Sequence, residues 1–288
     1  MEEKDYPNLY LSANDASIST QRWYLNAIKL YLSLLVTSAI TNQFAPKHLA
    51  WSVFSALILI VTLGLSIYQA FKRFDIIWYN GRAVAESVKT RTWRFIMKTE
   101  PYQDDSYEIV AKKFNSDVAE ILKENKELCQ YLNDQGTGDC ITAEMNRIRG
   151  LDLIKRRGFY KISRIDEQRK WYAKKAKANR IQSSIWFYSM IGSNLIAVVL
   201  ALVQIACPKM GSFPIEILIV VASSILTWMQ VKRYQELTTS YNLTAHEITI
   251  VRQNIDFCLT DTQLSDFVKD AENAFSREHT QWVARKDK

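Results

Sequence analysis

The feature that most constrains this chain is where its charges are missing. Four windows, 30–46, 49–71, 181–206 and 213–230, together hold 84 residues and a single charged side chain, Glu216. The other 204 residues hold the remaining 66 charged ones. A soluble domain mixes polar and apolar positions along each amphipathic element, so that one face is buried and the other wetted. Segregating them along the chain excludes the soluble globular enzyme. A helix needs about 20 mostly apolar residues to cross a bilayer core. Windows 49–71 and 181–206 meet that length, and the other two reach it when their aromatic and apolar flanks are counted. The near-neutral mean hydropathy of −0.15 averages two unlike populations.

With only 8 Gly and 5 Pro in 288 residues, the chain has few turns. Pro46, Pro208 and Pro214 fall where the windows would be joined, and none lies mid-window, where it would break a helix. The predicted fold class is an all-α integral membrane protein. It has four transmembrane helices in two hairpins, with long cytoplasmic helical extensions forming a bundle. Orientation follows from Lys and Arg near the window ends. Arg22 and Lys29 precede the first span, and Lys72 and Arg73 close the second. Lys174, Lys175, Lys177 and Arg180 precede the third, and Lys232 and Arg233 close the fourth, whereas the inter-span turns hold only Lys47 and Lys209. Both turns are therefore expected outside and both termini in the cytoplasm. Trp23, Tyr24, Trp186, Tyr188 and Trp228 are expected as interfacial anchors. The start Met1-Glu2-Glu3-Lys4-Asp5-Tyr6 has no basic region, so no cleavable signal peptide is expected.

The hairpins repeat one another. Trp23-Tyr24 precedes the first and Trp171-Tyr172 the second; Lys72-Arg73-Phe74 follows the first and Lys232-Arg233-Tyr234 the second. Tyr79, Asn80 and Ala83 then match Tyr241, Asn242 and Ala245. Order and spacing suggest a duplicated two-span unit. An N-terminal unit is expected over 1–135, with spans at about 30–46 and 49–71. A C-terminal unit is expected over 136–288, with a basic helix and spans at about 181–206 and 213–230. Outside the spans, helices are predicted over 75–98, 104–134, 231–258 and about 261–284, with Asp261 or Thr262 as the last helix cap. Another is predicted from near Ile141 into the third span.

Lys155 to Arg180 carries eleven basic and two acidic residues, a net +9 in a chain of +7 overall. This stretch is read first as a positive-inside flank on anionic headgroups, where each basic group gains about 1 kcal/mol. A site for an anionic ligand such as a nucleotide is the second reading. Arg164, Arg169, Lys170, Lys174, Lys175, Lys177 and Arg180 are the candidate contacts for either. Direct nucleic-acid binding is not expected, because no recognition motif accompanies the charge.

No catalytic motif accompanies any of this. The four Cys and three His are scattered without metal-ligand spacing, so neither a metal nor a cofactor is expected, and the chain is read as not an enzyme. Ser276-Arg277-Glu278-His279 contains catalytic residue types, but consecutive helical residues diverge by about 100°, so a packing or docking role fits better. In the third span, Ser189, Ser193, Ala197 and Ala201 recur every fourth residue and suit close helix approach. Ser52, Ala56 and Gly64 give the second span a weaker version. Asn194 deep in the third span, with Gln204 and Glu216 nearer the outer turn, completes the candidate pore or helix-contact set. Four spans enclose little more than a packed core, so a conducting path calls for a homo-oligomer.

Two stretches carry a family resemblance. One is Tyr160-x3-Arg164-x3-Gln168-x2-Trp171-Tyr172-x2-Lys175-Ala176-x2-Asn179. The other is Phe267-Val268-x2-Ala271-Glu272-x3-Ser276-Arg277-Glu278-His279-Thr280-x-Trp282. With the hairpin between them they resemble the SLATT family, the SMODS- and SLOG-associating two-transmembrane effector domains, and the first half resembles a more diverged unit of the same type. The resemblance implies an effector of a bacterial anti-phage conflict system, acting in abortive infection. Such an effector perforates or depolarises the inner membrane when a partner sensor or a nucleotide second messenger from a neighbouring gene activates it. It implies packing or docking roles for Tyr160, Gln168, Trp171, Tyr172, Ser276, Arg277, Glu278, His279 and Trp282. The alternative is a non-conducting membrane scaffold or accessory subunit that recruits a soluble partner.

Overall fold

A computed structural model describes residues 1–44, 49–104, 106–132 and 138–284; the side chains of Phe44 and of residues 276–284 lie outside the described set. Ten α-helices and no strand occur among the described residues: α1 Asn8–Phe44, α2 Leu49–Lys72, α3 Phe74–Ile96, α4 Tyr107–Glu124, α5 Ala143–Arg149, α6 Leu153–Tyr160, α7 Glu167–Ala206, α8 Ile215–Lys232, α9 Tyr234–Asn254 and α10 Asp261–Ala284. A π-helical turn, Lys161–Asp166, joins α6 to α7. Among the described residues, four stretches are long and apolar enough to cross a membrane; they contain windows 49–71 and 181–206 and most of 30–46 and 213–230. The chain is an all-α, multi-pass membrane protein.

The residues divide into two compact units. The apolar unit takes residues 23–73 and 172–244, which include all four spans. Its side chains face outward as grease: Leu57, Ile60, Leu63, Leu195 and Leu202 are each at least half exposed, as lipid-facing residues must be. The pairing of the hairpins is set by a few polar and aromatic contacts. Ser38 and Ser55 share a hydrogen bond at 3.2 Å between α1 and α2. Ser193 Oγ donates to the Leu218 carbonyl at 3.0 Å between α7 and α8. Gln43 Nε2 donates to Ser212 Oγ at 3.4 Å, so the C-terminal end of α1 lies beside the segment that joins α7 to α8. Leu32, Trp228 and Tyr234 form its buried cluster, with Leu25, Ile28, Tyr31 and Trp186 against it. Trp228, expected as an interfacial anchor, is buried there instead, with the Lys29 and Lys232 ammonium groups 5.5 and 5.8 Å from its ring.

The repeat seen in the sequence recurs in the backbone. The second span of each hairpin ends at a left-handed arginine, Arg73 (φ 43°) and Arg233 (φ 48°). In each, the arginine N–H still bonds four residues back, to the Gln69 and Met229 carbonyls. A left-handed conformation is costly for a residue with a Cβ, so the same device at both ends of Lys-Arg-aromatic marks a shared ancestry of shape.

The polar unit takes residues 1–22, 74–171 and 245–288. Its axis is α3, whose Val84, Val88, Trp93, Phe95 and Ile96 are buried against α4, α5 and α10. Gly81 admits α1 closely: a Cβ there would stand 3.0 Å from the Ala13 carbonyl oxygen and 3.2 Å from Ser17. The predicted helix over 104–134 is shorter, ending at Glu124 and followed by a 3-10 turn, Lys126–Tyr131. The helix predicted to run from Ile141 is interrupted. Gly150 closes α5, and the Asp152 carboxylate accepts from the Lys155 N–H at 2.9 Å to start α6. The last helix is capped by Thr260 rather than Asp261 or Thr262. Thr260 Oγ1 accepts from the Gln263 N–H, and Gln263 Oε1 accepts from Leu259 and Thr260 in return, a capping box. Asp261 is spent on Arg156.

Candidate functional site

In the apolar unit, the spans leave a groove of about 680 Å³ bounded by α1, α2 and α8. Helical periodicity puts Tyr31, Leu35, Ser38 and Asn42 on one face of α1, and Glu216, Val220, Ser223, Ser224 and Thr227 on one face of α8. Ser55 and Leu59 close it from α2. Eight of the fourteen lining side chains carry a hydroxyl, amide or carboxylate, in a unit that exposes many large apolar side chains elsewhere. Asn42, Glu216, Ser223 and Thr227 are exposed. Thr227 Oγ1 is held by the Ser223 carbonyl at 3.0 Å, the usual way a hydroxyl is satisfied within a span. The α1 and α8 stretches each cover eleven residue steps, about 17 Å at 1.5 Å per residue. That is more than half of a hydrocarbon core about 30 Å thick.

Among the described residues, the polar unit has one fully buried ion pair. Glu272 of α10 is completely enclosed and accepts four hydrogen bonds: Arg164 Nε at 2.8 Å, Arg164 Nη2 at 2.7 Å, the Tyr160 hydroxyl at 2.9 Å and the Thr90 hydroxyl at 3.3 Å. Arg164 sits in the π turn, where the wider spacing brings both it and Ile165 inward. Its guanidinium lies 5.9 Å from the Trp93 ring and 5.0 Å from Phe275, while Trp93 Nε1 donates to the Tyr6 hydroxyl at 2.9 Å. Burial disfavours charge on Arg164, but the attraction and hydrogen bonds of Glu272 outweigh it and hold the guanidinium above its ordinary value. Burial, reinforced by Glu272, pushes the Tyr160 phenol well up, and burial raises Tyr10 to about 12. The Arg164 guanidinium thus stays charged and the Tyr160 phenol neutral, and the four hydrogen bonds make the cluster a polar lock. Among the described residues no group of three or more His, Cys, Asp or Glu is placed to hold a metal ion.

Several predicted site residues fall elsewhere than expected. Arg164, proposed for an anionic ligand or headgroup, is 2% exposed and spent on Glu272, because a buried carboxylate needs a buried cation. Arg169 lies 3.7 Å from Asp166, and Lys161 and Arg156 are likewise paired, with Asp256 and Asp261. Apart from Lys155, which pairs with Asp152, the exposed cations of the basic stretch are in its second half: Lys170, Lys174, Lys175, Lys177 and Arg180. In α7, Ser193 and Ala197 are buried, with Ser193 bonded to α8, whereas Ser189 and Asn194 are exposed and Ala201 and Gln204 half-buried. The every-fourth-residue face thus packs at its middle, and Glu216 alone of that candidate set lines the groove. In α2 the buried face is Ser55, Ile58 and Thr62, not Ser52, Ala56 and Gly64, which are exposed.

Tyr172 is buried beside Tyr241, Trp171 lies 6.0 Å from the Arg82 guanidinium, and Gln168 is half-buried. The side chains of Ser276, Arg277, Glu278, His279 and Trp282 lie outside the described residues. The sequence reading missed the hydroxyl face of α8 and the lock residue Glu272. Glu272 had a signal: it sits among Leu264, Val268, Ala271 and Phe275 on the apolar face of α10, where an acid requires a buried partner.

Two family models match the chain in tandem. Residues 7–157 match SMODS and SLOG-associating 2TM effector domain 3, and residues 160–282 match SMODS and SLOG-associating 2TM effector domain 1. The chain belongs to the SLATT family. It is a tandem of two SLATT domains and a membrane effector of conflict systems. Neither the curated proteins nor the solved structures compared with the chain include a match. Each SLATT domain gives one hairpin to the apolar unit and helices to the polar unit, so the compact units cut across the sequence domains. The lock joins the two domains, with Thr90 from the first and Tyr160, Arg164 and Glu272 from the second.

Proposed function

We propose that this tandem SLATT protein is an anti-phage effector of the bacterial inner membrane. It oligomerises and permeabilises or depolarises that membrane when a partner sensor or a nucleotide signal activates it. Both termini and the polar unit lie in the cytoplasm, as the Lys and Arg flanks favour. The observation that carries the reading is the groove. Oxygen-bearing side chains at membrane depth are costly against lipid and belong beside water or protein. A packed, non-conducting anchor has no use for eight of them on one continuous face. Oligomerisation follows from the same cost, since the groove and the exposed Asn194 are open on the outside of a single apolar unit.

The test is release of potassium and of a small dye from anionic proteoliposomes, with and without the activating partner or signal, with subunit number read by native mass spectrometry. The expected outcome is oligomers that release potassium once activated. Monomers in tight vesicles that still bind a soluble partner through the polar unit would favour the scaffold reading.

A further inference from the structure

The groove carries more than a polar lining: its only formal charge is negative. Among its fourteen lining residues there is no Lys, Arg or His, and Glu216 is the single ionisable carboxylate in the four spans. We propose that the groove is a cation site within each protomer. It is a hydrated path along α1 and α8 that takes monovalent alkali cations, entered past Glu216. This deepens the permeabilising reading and rests on it. Glu216 lies in the first turn of α8, where a carboxylate complements the helix dipole. That accounts for an acid there but not for the oxygens beneath it. Asn42 stands at the same end, since α1 ends where α8 begins. The Ser38 and Ser55 pair and then Ser223, Ser224 and Thr227 continue the series towards Tyr31 at the other end.

Carboxylate, amide and hydroxyl oxygens are the ligands hard cations take. Hydroxyl groups can also solvate an anion, but the one charge in the groove lining is Glu216; the Lys29 and Lys232 ammonium groups lie against Trp228, outside the lining. A low-dielectric wall strengthens the field of Glu216. The earlier candidate, the small-residue face of α7, meets α8 at Ser193 and contributes no residue to the groove.

The test reads the resting protein at residue level. Ser223→Cys sits mid-span in the groove, and Leu226→Cys lies on the exposed face of the same helix outside it. Full-length protein in lipid nanodiscs is treated with a cationic and an anionic methanethiosulfonate reagent of similar size. Modification is followed by mass spectrometry on the peptide carrying each substitution, with Cys207, exposed beside the hairpin turn, as reference. The expected result is that Cys at 223 reacts while Cys at 226 does not. At 223 the cationic reagent should be faster by on the order of tenfold relative to Cys207, as field focusing in a charged cleft produces. Glu216→Gln should remove that preference.

A 223 position inert to both reagents, in protein that still leaks potassium from liposomes, would overturn the cation site and leave the permeabilising reading standing. Equal reaction of both reagents at 223, or a preference unchanged by Glu216→Gln, would also overturn it. Reaction at 226 as fast as at 223 would place α8 outside the bilayer and overturn both.

Discussion

Replacing Glu272 by Ala is the sharpest perturbation of the polar unit. The carboxylate is fully enclosed and accepts two bonds from Arg164 and one each from Tyr160 and Thr90. Removing one partner of a buried pair leaves an uncompensated buried charge and costs about 3–5 kcal/mol. The stranded hydroxyls would add about 1–3 kcal/mol each if they found no water. Groups in one network do not add, so about 4 kcal/mol is the working figure. A unit of this size loses about 2–4 °C of Tm per kcal/mol, so Glu272→Ala should melt roughly 8–16 °C lower. Tryptophan fluorescence in detergent reports this directly, because Trp93 lies against the Arg164 guanidinium. Pairing Arg164→Met with Glu272→Leu removes both charges together, and the double variant should be closer to wild type than either single change. A Glu272→Ala melt within about 2 °C of wild type, or a double variant as unstable as the sum of the singles, would refute the lock.

Two further outcomes follow from the geometry. Gly81→Val should destabilise the polar unit by about 1–3 kcal/mol, as overpacking does, because the atoms a Cβ would meet include α1 backbone; chemical denaturation measures it. The hydrogen bond from Arg252, at 2.5 Å, holds the Asp166 carboxyl below the usual carboxylate range, so the folded state binds its proton less readily than the unfolded chain. That stability is complete above the unfolded value of about 3.9 and is lost as pH falls through the depressed folded value. A pH series of melting temperatures should therefore show an acid loss that Arg252→Gln reduces.

The spans were legible because a bilayer punishes charge wherever it falls, so their signal is carried by composition within a window. The repeat was legible for a related reason: Lys-Arg-aromatic marks the end of both second spans, and the backbone turns left-handed at Arg73 and Arg233 alike. What a sequence does not carry is which partner a side chain meets. The basic stretch read as one surface, yet Arg156, Lys161 and Arg164 are taken by acids supplied by α10 and by the turn that precedes it. The cleanest small-residue spacing, on α7, proved to be where α8 docks. The less regular series Glu216, Ser223, Ser224, Thr227 faces the groove only because α1 presents Ser38 and Asn42 opposite it. Helical spacing assigns residues to a face, and tertiary packing decides what that face meets.

The most direct measurement of the central claim is the membrane potential of bacteria expressing the full-length protein with its activating partner, followed with a potential-sensitive dye beside viability. The account predicts that the potential collapses before growth stops and that Glu216→Gln, which leaves the polar unit intact, slows the collapse. Growth arrest with the potential maintained would contradict it.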